Sequence, residues 1–151
     1  MPDRTPLLAL YAVPADPHTL PPPQRSGAAC VWCQYELRPG EGIDLGGTGD
    51  WRPHGCVPCC EIENHVVATY LDWHDHGIGC ERCPLRPCAR ARDLRAAHLD
   101  AHNQAGRPEP SCAECRAGIA PGEPLRPHLW QGLNGPVPGY LHTRTCPAPG
   151  P

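Results

Sequence analysis

The sequence predicts a small, loop-rich α+β chain stabilised by metal, with two short helices and minimal hairpins. Three observations lead there. Gly (16) and Pro (22) make up about a quarter of the 151 residues, the level of loop-rich chains. Leu, Ile, Val and Phe together number only 24, too few for an ordinary buried core. Against this stand 11 Cys and 9 His, whose bonds to an ion can offset chain entropy where burial cannot.

Disulfides are the rival to metal, and they belong to exported chains. The apolar run Leu7 to Val13 is short, is followed by Pro14 and Pro17, and is a poor match to a signal peptide. The odd cysteine count and the Cys-x-x-Cys clustering also point to metal. We therefore expect an intracellular, cytoplasmic zinc protein. No stretch approaches the roughly 20 apolar residues of a membrane span.

Along the chain, residues 1–29 carry seven prolines, including Pro21 to Pro23, and read as an extended or disordered leader. Cys30-x-x-Cys33 and Cys56-x-x-Cys59 follow, separated by 22 residues. Two residues between cysteines let both sulfurs face one ion, so these four form the first predicted site. His54 and Cys60 are neighbours of this site without an assigned role. The run Ile62, Val66, Thr69/Tyr70, Trp73 has helical spacing, with Gly77 as its stop. A knuckle, a hairpin and a helix carrying two ligands in its first turn resemble the treble-clef zinc fold over residues 30–76. The resemblance implies zinc and a tandem arrangement of such modules, not a particular activity.

Residues 77–105 hold a second predicted site and helix. His76, Cys80, Cys83 and Cys88 make one ligand set, which we favour. This segment, with Trp73 and Leu94, resembles a short metal module of GC-rich bacterial proteins, and its His-x-x-x-Cys-x-x-Cys core resembles that of zinc-bearing anti-sigma factors. The long sigma-clasping helices of those factors are absent from the sequence pattern, so their function does not carry over. The rival set is Cys80, Cys83, His98 and His102, in the order of a two-Cys two-His DNA-reading finger. His98 and His102 share a helix face, but Pro84 and Pro87 interrupt the hairpin such a finger needs. The helical run here is Ala91, Leu94, Ala97/His98, Ala101, stopped by Gly106.

After a linker at 106–111, residues 112–146 offer the third site: Cys112, Cys115, His142 and Cys146. It resembles a truncated treble clef, or the Cys-x-x-Cys…His-x-x-Cys half of LIM and nick-sensing fingers with one residue added. Residues 147–151 read as a frayed tail. The third module repeats the first. Cys30, Cys33, Leu37, Pro39, Gly40 and Glu41 recur as Cys112, Cys115, Ile119, Pro121, Gly122 and Glu123, always 82 residues later. Trp51, His54 and Cys56 are answered by Tyr140, His142 and Cys146. An internal duplication is the simplest explanation.

Charge narrows the function. The formal net charge is −3, and ten thiolate ligands on three zinc ions bring it to about −7. All 13 basic residues are Arg, a composition that looks like the codon bias of a GC-rich bacterium or its phage. An acidic chain is a poor generic nucleic-acid binder, because phosphate neutralisation supplies most of that affinity. The stretch from Cys80 to Arg107 is the exception, with six Arg against three acids, and carries the alternative of a nucleic-acid-binding finger protein. No His-Glu-x-x-His or deaminase pattern occurs, and every cluster can be closed by four ligands, so we expect no enzyme. An HNH-type nuclease relative is the remaining enzymatic comparison, but Ile43-Asp44 is followed by Leu45 where such a site needs a His base. The expected role is a zinc-bearing protein-interaction or regulatory module that binds another protein.

Overall fold

The computed structural model describes residues 17–132 and 135–146. Among them it is a small mixed α/β chain with three helices and two small antiparallel sheets. In order, a 3-10 turn (Pro17–Thr19) precedes α1 (Pro22–Ser26), β1 (Ile43–Asp44), β2 (His54–Gly55), α2 (Val57–Gly79), α3 (Ala89–Gln104), β3 (Leu125–Gly132) and β4 (Gly135–His142). Two compact units divide the chain. Among the described residues the first comprises 17–65 with Gly132 and Gly135, and the second 66–131 and 136–146.

In the first unit, part of the expected leader is folded. Pro21 to Pro23 start α1, where a missing N–H costs nothing, and Gly27 ends it at φ +83°. The buried Gln24 amide then donates to the carbonyls of Val31 (2.9 Å) and Cys30 (3.4 Å), fixing α1 to the first knuckle. Residues 1–16 of that expected leader, and the tail at 147–151, lie outside the described residues. The hairpin is as small as anticipated: Ile43 opposes Gly55 and Asp44 opposes His54. Gly55 is required by its neighbours, since a Cβ there would stand 2.6 Å from both the Cys60 sulfur and the Trp32 ring.

Helix α2 is longer than expected, continuing past Gly77 to Gly79. Its buried positions are Cys60, Glu63, Val66, Tyr70 and Trp73, so the expected stripe is right at its C-terminal half and shifted at the start. Ile62 is 46 % exposed and Glu63 takes the inward place. Helix α3 buries Ala91, His98, Ala101 and His102, with Leu94 half-buried and Ala97 outside. Gly106 follows its end at φ +67° and donates to Asn103 O.

The core of the second unit sets Trp73, Cys112, Ile119 and Leu125 together, flanked by Leu94, Leu99, Tyr140 and Leu141. Strands β3 and β4, eight residues each, exceed the minimal hairpins expected. Pro127, Pro136 and Pro138 are tolerated because both strands of a two-stranded ribbon are edges, with one side free of any ladder.

Candidate metal centres

The duplication is visible atom by atom in the two knuckles. Cys30 N donates to Tyr35 O and Cys112 N to Ala117 O; Gln34 N donates to Cys30 O and Arg116 N to Cys112 O. Gln34 and Arg116 both sit in the left-handed region, at φ 64° and 62°, a conformation that costs a non-glycine residue roughly a kcal/mol. Glu41 and Glu123 each cap the following turn by accepting from the N–H of Arg38 (2.9 Å) and Ala120 (2.6 Å). Every one of these pairs is 82 residues apart. The second halves align differently from the sequence reading. Parallel bridges join Cys30 to His54 and Cys112 to Tyr140, so Tyr140 answers His54 and His142 answers Cys56.

Three tetrads have their donor atoms within 4.8 Å of one another: Cys30, Cys33, Cys56 and Cys59; His76, Cys80, Cys83 and Cys88; Cys112, Cys115, His142 and Cys146. Each can hold a metal ion. In the first, Cys56 lies just before α2 and Cys59 in its first turn, where the helix N-terminus favours negative sulfur. Cys33 and Cys56 sulfurs are 3.7 Å apart. Burial pushes the Cys30 thiol up, but the N–H groups of Cys33, Cys56 and Trp32 more than reverse this and bring it to about 7. Cys112 behaves alike: burial opposes, the N–H groups of Cys115, His142 and Glu114 prevail, and the thiol falls to about 6. The leading thiol of each knuckle is thus prepared to be the thiolate that a metal needs.

In the second tetrad, His76 comes from the last turns of α2, Cys80 and Cys83 from the following loop, and Cys88 from the N-cap of α3. Cys88 Sγ lies 3.1 Å from His76 Nε2, 3.8 Å from Cys83 Sγ and 4.0 Å from Cys80 Sγ, and accepts from Ala91 N at 3.4 Å. In the third, Cys112 and Cys146 sulfurs are 3.7 Å apart, and Cys115 Sγ is 3.6 Å from His142 Nδ1. Glu114 Oε2, 3.6 Å away, accepts from the Cys146 thiol.

The rival histidines have other partners. His98 Nδ1 meets Thr69 Oγ1 at 3.2 Å and its Nε2 meets Tyr140 OH at 2.6 Å, so both ring nitrogens are engaged. His102 is buried beside it, with ring centroids 5.9 Å apart. Tyr70 packs edge-on against both His98 and Tyr140, and its hydroxyl donates to Gly139 O at 2.8 Å. Cys60 is buried outside any tetrad, its thiol pushed up to about 11 by burial and by Cys30 and Cys56. His54 Nδ1 sits at Arg52 O (2.9 Å), and Asp44 Oδ1 accepts from Gly46 N (2.9 Å). Sequence reasoning missed the Tyr70–His98–Tyr140 cluster. The one signal for it was that His98 keeps helical phase with Ala91, Leu94 and Ala101.

That cluster carries a pH prediction. Burial first, and then the neighbouring His102, push the His98 imidazole down to about 4. Its folded pKa lies below the ordinary value of 6.5, so the unfolded chain takes the proton first. Stability is therefore lost as pH falls from 6.5 towards 4, by on the order of 1–2 kcal/mol at pH 5. His98→Gln removes the titration while keeping polar atoms in place. Urea midpoints for the wild type and variant should converge between pH 7 and 5, the common acid sensitivity of the thiolates cancelling in the difference. Parallel curves would disprove it.

Comparison with family models, with curated proteins and with solved structures finds no match for this chain.

Proposed function

We propose that the chain is a three-zinc protein whose metal sites are structural, and that it acts as a small protein-interaction or regulatory module rather than as an enzyme. One observation carries this: each tetrad offers four Cys or His donors, leaving no coordination position for water or substrate. The donor chemistry suits zinc. Sulfur at 2.3 Å from a tetrahedral ion gives an S–S edge of about 3.8 Å; four of the S–S edges here are 3.7, 3.7, 3.8 and 4.0 Å, and all donor atoms of a tetrad lie within 4.8 Å. Those separations are far beyond a disulfide bond. The His76–Cys88 edge is 3.1 Å.

The first unit supports a treble-clef reading in its order of parts: knuckle at Cys30–Cys33, hairpin β1–β2, then α2 carrying Cys59 in its first turn. In the third cluster β4 delivers His142 directly, and no helix follows among the described residues. The alternative, nucleic-acid binding, would rest on the arginines between Cys80 and Arg107. Arg95 is tied to Glu123 O at 3.0 Å, Arg92 to Pro87 O at 3.1 Å, and Arg107 is partly buried. A protein partner is favoured over nucleic acid by the acidic balance of the chain, a formal net charge of −3 before any thiolate is counted.

Native mass spectrometry of the full chain should find three zinc ions, and a gel shift with random duplex DNA should show nothing tighter than the non-specific range of about 10⁻⁴ to 10⁻⁶ M. A count below three overturns the three-site reading. A salt-sensitive shift at nanomolar protein overturns the protein-partner reading in favour of nucleic acid.

A further inference from the structure

Within the second unit, one face of α3 and the segment 109–125 enclose a cleft of about 450 Å³. None of the three metal clusters contributes a ligand to it. Leu99, Ile119 and Leu125 give it an apolar floor, and Arg95 and Arg107 stand along its length. Its volume is that of a site for a small ligand or a few side chains. Arg95 is the informative residue. It has no carboxylate partner among the described residues, its Nη2 is held by Glu123 O, and its Nε is buried with no hydrogen-bond partner. An arginine positioned by backbone and left without a counter-charge, at the lip of an apolar cleft, is suited to a carboxylate.

The acids of the cleft refine the complement. Asp100, engaged by Gln104 Nε2 at 3.0 Å, and Glu109 are exposed between the two arginines, so a segment acidic throughout would be repelled there. Arg95 and Asn103 are eight residues apart on the helix, about 12 Å, and Arg107 lies beyond its end. A strand-like peptide of about five or six residues spans that length.

We propose that this cleft is the docking site for an extended segment of a partner protein, with an acidic residue near each end and aliphatic residues between. The proposal rests on the protein-interaction reading above and names the partner's chemistry.

The test uses the zinc-loaded full chain and a capped hexapeptide with glutamate at both ends and leucine and alanine between, beside its glutamine counterpart. Two-dimensional NMR should show saturable shifts at Leu99, Asn103 and Ile119 with the glutamate peptide, and at least tenfold weaker binding of the glutamine one. Arg95→Gln should weaken the glutamate peptide about tenfold without altering the zinc count. Ala96→Trp, at an exposed position on the cleft wall, should abolish binding by filling the space. Equal binding of the two peptides, shifts centred elsewhere, or no saturation at millimolar peptide would each overturn it. Any of these with three zincs still bound leaves the structural-zinc reading intact, whereas a chain lacking its zinc fails on that reading instead.

Discussion

Stripping zinc with a chelator is expected to unfold the chain, not merely to soften it. Far-ultraviolet circular dichroism should lose most of its helical signal as metal leaves, and adding zinc should restore it. The reason is the small apolar content. Among the described residues, the core cluster of the second unit has Trp73, Cys112, Ile119 and Leu125 as its buried members, and Cys112 is itself a ligand candidate. Structural zinc contributes on the order of 10 kcal/mol per site, against a net folding stability of about 5–15 kcal/mol for a whole domain. Loss of all three ions together exceeds everything the fold has in reserve. Unligated thiolates would also repel one another within each tetrad, so the apo chain must protonate or open. An unchanged spectrum in excess chelator, with the metal shown to be gone, would refute this account.

The grouping of the cysteines and histidines into three clusters was legible in the sequence because ligand geometry is local. Two residues between cysteines aim both sulfurs at one point whatever the rest of the chain does. The 82-residue repeat was legible for the same reason, since Leu37 and Ile119 mark the buried side of each knuckle. What stayed hidden depends on distant partners. Pro21 to Pro23 look like a leader until Gln24 is seen to bind the carbonyls of Cys30 and Val31. Prolines are unusual within a sheet, yet a ribbon of the two edge strands β3 and β4 accepts them. His98 and His102 have the spacing of a ligand pair, and nothing nearby in sequence says that Tyr140, 42 residues on from His98, claims one of its nitrogens.

The sharpest expected result concerns the middle cluster. Cys88 does two things at once: its sulfur closes the tetrad of His76, Cys80 and Cys83, and it caps α3 by accepting from Ala91 N. Cys88→Ala removes both, so one zinc should be lost and the turn joining α2 to α3 should loosen. Cys88→Ser separates the roles. A serine oxygen is a good helix cap but a poor replacement for thiolate, so this variant should also bind two zincs while its α3 remains formed. His98→Ala should destabilise the fold by about 1–3 kcal/mol for a lost buried hydrogen-bonding partner, and His102→Ala should destabilise it through lost ring packing against His98 and Tyr140. Both should still bind three zincs, because His98 is held by Thr69 and Tyr140 and not by sulfur. His74 is the histidine closest in sequence to His76 and could replace it, although its Nδ1 is occupied by Asp75 Oδ1 at 3.0 Å, so the two histidines should also be replaced together. Metal analysis decides the matter. Three zincs in both Cys88 variants, with one lost on replacing His98 or His102, would transfer the second site to the rival two-Cys two-His set and leave the His76–Cys88 contact as packing alone.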